Sequence, residues 1–166
     1  MSVVHLHLML NHVPVIGAVF GILLLAVAYL RRSTELAKVT FGLLALLGAV
    51  SVAVYLTGEP AEDVVEKLPG FSKRIVEAHE EAALAATIVM GGLGVLALGA
   101  LAFFRRRALP RSIIATGLVL ALGAGGVMGY TAYLGGQVRH TEIRAGAVAA
   151  GDQGGAARTA AERDEH

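Results

Sequence analysis

Four stretches of this chain contain no charged residue: 13–30, 39–57, 82–104 and 112–138, with lengths of 18, 19, 23 and 27 residues. A backbone that crosses about 30 Å of hydrocarbon must satisfy its own polar groups. As an α-helix it needs about 20 apolar residues to do so. Each stretch is close to that length. Helices buried in a soluble bundle would still show polar faces, and these show none. The expected fold is all-α: an integral membrane four-helix bundle running up-down-up-down over residues 1–144. The first stretch has no basic region before it and no polar cleavage segment after it, so it is read as a retained span rather than a signal peptide.

Composition agrees. Of 166 residues, 55% are hydrophobic and only 16% are charged. That excludes a soluble globular domain and a wholly disordered chain. A net charge of +1 offers no basic stripe for nucleic acid. There is no cysteine, which rules out disulfides, zinc ribbons, iron–sulfur clusters and covalently attached c-type haem.

The charges fall in the connections. Arg31, Arg32 and Lys38 follow the first span, and Arg105, Arg106, Arg107 and Arg111 follow the third. These seven are half of the 14 Lys and Arg, and they are accompanied by one acid, Glu35. The central loop, 58–81, carries seven acids and three bases. The positive-inside rule assigns both arginine turns to the cytoplasm. Both termini and the central loop then face outward from a bacterial inner membrane. Pro60 can open a helix, and Val64, Val65 and Leu68 recur at helical spacing, so the loop at about 58–78 is expected to hold a surface helix. Ser72 is placed to cap a second start running through His79 into the third span. Residues 145–166 are rich in Gly, Ala and charge, a composition expected to stay disordered.

The first and last pairs of spans read as copies of one hairpin. Each opens on a histidine, His12 or His79, turns on arginines, and ends alike: Tyr55-Leu56-Thr57-Gly58 against Tyr133-Leu134-Gly135-Gly136. The distances from histidine to tyrosine are 43 and 54 residues, so the match is approximate. Gly135-Gly136 is expected to end the fourth helix near Leu134.

This topology gathers His5, His7, His12, His79 and His140 at the outer end. His5 and His12 are seven residues apart and share a helix face, with Met9 between them. Ionisable groups at a membrane boundary are candidates for function, and imidazole suits iron, copper and zinc. A b-type haem needs two axial histidines, a flat apolar slot and cations for its propionates. His12 and His79, on diagonal spans, are the expected axial pair. Arg139, Arg144, Lys73 and Arg74 lie near enough to serve the propionates. Pro14 would free the carbonyl of Leu10 to orient a ring N–H. A bare copper or zinc ion is the rival, drawing on His5, His7, Met9, His12, His79, His140, Glu77 and Glu80. Small residues follow the same faces: Ala83, Ala86, Met90 and Gly94 below His79; Gly125, Gly129 and Ala132 on the fourth span; Gly48, Ser51 and Tyr55 on the second. They either let backbones approach, as in Gly17-xxx-Gly21, or leave room for a flat ligand.

Asn11-His12-Val13-Pro14, the histidine opening the third span, the arginine-rich turns and Gly135-Gly136 resemble a family of bacterial four-span membrane proteins of unknown function, whose first helix is often His-rich with a Val-His-Phe-Pro motif. Leu56-Thr57-Gly58-Glu59-Pro60-Ala61-Glu62, Leu68-Pro69-Gly70 and Glu77-Ala78-His79-Glu80 are similar to one subgroup of it. The likeness covers about 6–136, with Val13 in place of the family's Phe. It implies a multi-pass membrane protein, lends weight to His12 and His79, and supplies no activity.

Three functions remain open. One is electron transfer through haem b or another metal centre, with a quinone or a periplasmic redox partner. The second is metal handling or small-solute permeation without redox chemistry. The third is a structural subunit of an oligomer or larger membrane complex. An enzyme with its own substrate pocket is less expected than any of them.

Overall fold

The computed structural model describes residues 3–67 and 69–144. It is all-helical, with no strand among them. In chain order α1 spans Val3–Leu10, α2 His12–Arg31, α3 Thr34–Leu56, α4 Glu59–Val65, α5 Lys73–Phe103 and α6 Arg111–Arg139, followed by a 3-10 turn at Thr141–Ile143. Leu68 and the tail from 145 lie outside the described residues, and so do the expectations placed on them.

Local chemistry sets the boundaries. Arg32 ends α2 in the left-handed conformation, with φ 53°, its N–H returned to the carbonyls of Ala28 and Tyr29. Ser33 opens α3 by accepting the Leu36 N–H at 3.3 Å. Pro60 stands in the first turn of α4, where its missing N–H costs nothing. Ser72 precedes α5 as expected, but in extended backbone and without a side-chain capping bond. One boundary is corrected. The helix does not stop near Leu134: α6 continues through Gly135 and Gly136 to Arg139. Gly70 is the described glycine with a positive φ, so the Gly135-Gly136 pair keeps ordinary helical geometry. Their missing side chains accommodate neighbours instead of ending the helix.

Four helical segments are long and apolar enough to cross a membrane: Val3–Arg31, Thr34–Leu56, Lys73–Phe103 and Arg111–Arg139. Their outer surface is apolar as well, with Phe20, Leu30, Val39, Ile88, Val95, Phe103 and Val119 exposed. Lipid is the solvent such a surface fits. The chain has the build of a multi-pass membrane protein.

The spans close a ring: α2 packs on α3 and α6, and α5 packs on α3 and α6. The first and third spans are therefore diagonal, as the sequence reading placed them. Glycines receive the side chains of the neighbouring helices. Leu44 and Leu47 of α3 press on Gly21 and Gly17 of α2, Phe41 on Gly117 of α6, and Ile22 of α2 on Gly125 of α6. At Gly48 and Gly94 the backbones of α3 and α5 touch; a Cβ on Gly48 would lie 3.2 Å from the Gly94 Cα. With Met90 and Leu44 fully buried, these small residues bring backbones together. They do not leave an open slot. The fourth-span seam is also corrected toward the histidine end, because Gly129 and Ala132 are exposed. Among the described residues Thr40 and Ser51 are the buried polar ones, and each donates to the carbonyl four residues back in its own helix, at 2.7 and 2.8 Å.

Candidate functional site

The histidine end of the bundle is built by α1, the end of α3, the start of α5 and the end of α6. The helical phase of α2 decides which histidine turns inward. Its buried positions are Pro14, Ala18, Gly21, Leu25 and Ala28, alternating by four and three. Continued upstream, that seam reaches Asn11 and His7. His5 and His12 fall on another face.

His7 is half-buried. Its Nδ1 donates to the carbonyl of Val54 and to the Thr57 hydroxyl oxygen, both at 3.1 Å, while that hydroxyl donates to Val54 O at 2.8 Å. The ring thus fastens α1 to the last turn of α3, on a carbonyl that the Thr57 N–H also reaches at 3.1 Å. His79 makes the equivalent contact in the second hairpin. Its Nδ1 donates to the carbonyl of Thr131 on α6 at 3.1 Å, and the Thr131 hydroxyl reaches back to Ala82 O on α5 at 3.0 Å. Its ring lies on Gly135, where a Cβ would come within 3.0 Å of the His79 Cε1.

A carbonyl only accepts, so in both rings Nδ1 carries the proton, and in the neutral imidazole Nε2 then carries the lone pair. Asn11 lies between His7 and Pro14 on the same seam, and its Oδ1 is buried without a hydrogen-bond partner. An orphan acceptor of this kind costs about 1–3 kcal/mol, and so marks a place where a donor is missing.

The other candidates are placed differently. His12 is exposed, with its ring folded back on its own helix: Nδ1 donates to Leu8 O at 3.3 Å. That carbonyl is not the Leu10 carbonyl that Pro14 would free. His5 is exposed. His140 is exposed and pairs with Glu142 at 2.7 Å. Arg144 spends its guanidinium on three backbone carbonyls, of Gln137, Gly70 and Val138, at 2.8, 2.7 and 3.0 Å. It ties the end of α6 to the central loop. Arg139 is exposed. Lys73 meets Glu77 at 3.7 Å on the helix surface, a contact worth little. The structure therefore turns His7 and His79 inward at the same end of the bundle, each onto its own neighbouring helix, with Asn11 on the His7 seam, and leaves His12 exposed. Among the described residues no three His, Asp or Glu side chains converge as a metal ligand set.

Compared with known proteins, the chain matches no family model, no curated protein and no solved structure. The family resemblance rests on its short motifs alone.

Proposed function

We propose that this is a small membrane redox protein whose histidine end takes a b-type haem, with His7 and His79 as the axial ligands, and exchanges electrons with a quinone or a redox partner outside the membrane. The observation that carries this reading is the shared state of the two rings. Each Nδ1 is held by a main-chain carbonyl, the usual way a ligating histidine is oriented and its tautomer fixed, and each is left with a ligating Nε2 at the same end of the bundle. Two side chains are too few for a bare zinc or copper ion, which takes three or four. They suffice for a haem, whose macrocycle brings four nitrogens of its own. Because α3 and α5 touch at Gly48 and Gly94 and leave no slot between them, such a group would have to sit above that contact, at the mouth between the two histidines. Arg139 and Arg74 are the exposed cations nearest in sequence to that mouth for the propionates, since Arg144 is engaged elsewhere.

The test is a dithionite-reduced minus oxidised visible spectrum of the protein purified from haem-replete membranes. The expected result is a sharp α-band, lost in His7→Ala and His79→Ala and retained in His12→Ala and His5→Ala. A featureless spectrum from wild-type protein overturns the reading. A band that survives both inner substitutions overturns the ligand assignment.

A second reading is favoured by the same bonds seen as fastenings. His7 and His79 each stitch a helix to its hairpin partner, and the bundle below them is filled, as a structural subunit of a larger membrane complex requires. It predicts no visible absorbance and a copurifying partner that survives substitution of either histidine.

A further inference from the structure

The opposite end of the bundle holds a cavity of about 330 Å³ lined by Tyr29, Arg32, Thr34, Leu109, Arg111 and Ile114. Its chemistry is divided. Leu109 and Ile114 are buried and apolar. Arg32 and Arg111 bring two positive charges, Thr34 and Tyr29 bring hydroxyls, and no acid lines it. Arg111 stands over the Tyr29 ring at 4.2 Å, which fixes the guanidinium at the wall. Arg32 is the described non-glycine residue with left-handed backbone. Glycine is the usual occupant of such a helix end, so an arginine held there at a steric cost points to a use for its side chain. α3 begins at Thr34 and α6 at Arg111, and the positive ends of two helix dipoles border the same space. The cavity sits where the spans leave the membrane, within the two loops that hold half of the chain's bases.

We propose that this cavity binds the phosphate headgroup of an anionic phospholipid. Arg32 and Arg111 take the phosphate, the glycerol end rests against the apolar wall at Leu109 and Ile114, and the acyl chains lie on the exposed apolar surface of the spans, where Leu30 faces outward. Basic pockets between spanning helices suit such headgroups. The half-apolar lining favours a phosphate carried by a lipid over a free one.

The test is native mass spectrometry and thermal unfolding of the purified full chain in detergent, with added phosphatidylglycerol, phosphatidylcholine or inorganic phosphate. Phosphatidylglycerol is expected to give a retained adduct and a raised unfolding temperature, and the other two are not. Arg32→Gly keeps the left-handed turn with less strain, so it folds at least as well as the parent; it and Arg111→Gln are expected to lower adduct retention about tenfold. Arg106→Gln removes the same charge off the cavity and is expected to retain the adduct. Equal effects of the two lipids, full protection by inorganic phosphate alone, wild-type retention in Arg32→Gly and Arg111→Gln, or equal loss in Arg106→Gln would each overturn the proposal.

Discussion

At the scale of single residues, Gly135 and Glu62 lend themselves to direct measurement. The His79 ring lies where a side chain at 135 would be. Gly135→Ala must push the imidazole aside and weaken its bond to Thr131 O. The loss of about 1 kcal/mol for one hydrogen bond is set against a gain of about 1 kcal/mol in helix propensity at this helical glycine, so the unfolding midpoint in detergent should change little while any His79-dependent absorbance is lost. Glu62, on α4, shares a hydrogen bond with the Glu80 carboxyl, which raises its pKa from the ordinary 4.5 to about 7, helped by partial desolvation and the nearby negative charge. A carboxyl raised in the folded state contributes stability that is complete below its unfolded pKa and is lost as pH climbs through the folded one. The contact of α4 with the bundle should therefore be tighter at pH 5 than at pH 8. Hydrogen exchange over residues 59–67 should show more protection at the lower pH, and Glu62→Gln should abolish the difference. His7 was the residue hardest to select from sequence. Its ring shares α1 with His5, two positions away, and only the seam through Pro14, Ala18 and Gly21 separates the inward histidine from the outward ones. Attention to the Asn11-His12-Val13-Pro14 motif favoured His12, whose position on that seam is wrong by one residue.

The helices themselves were largely legible. A charge-free stretch of membrane length has one stable form, so the number of spans, their antiparallel order and their arginine-rich turns follow from where charge is absent. What pattern reading missed is how glycine acts within them. Gly135-Gly136 read as a helix stop and proved to be a continuous helix with a ring laid on it. Gly125-xxx-Gly129 read as one seam, yet Gly125 meets Ile22 while Gly129 is exposed. Spacing alone does not say which glycine has a neighbour. The contrast is testable between two glycines of α3. A Cβ on Gly48 would meet Met90 O at 2.9 Å, whereas one on Gly42 has nothing within 4 Å. Gly48→Ala should cost about 1–3 kcal/mol, as overpacking does. Gly42→Ala should be neutral or stabilise by up to about 1 kcal/mol through helix propensity. Unfolding of the two variants side by side gives the comparison directly.

For the whole molecule, orientation and conduction are the consequences. The chain has no cysteine, so a single introduced thiol reports sidedness without background. Glu66→Cys, beside the histidine end, should react with a membrane-impermeant maleimide on intact cells. Ala108→Cys, in the arginine turn, should react only after lysis. The reverse pattern would turn the molecule over. Thr40 and Ser51, the polar side chains of the interior, have already given their hydroxyl protons to their own helices, and α3 and α5 meet with no side chain between them at Gly48 and Gly94. Among the described residues no buried side chain beside that contact carries a charge. The expected electrical consequence is a quiet membrane: vesicles carrying this protein should hold an imposed potassium diffusion potential as long as protein-free vesicles do, and a faster decay of a voltage-sensitive dye signal would reveal a path through the bundle.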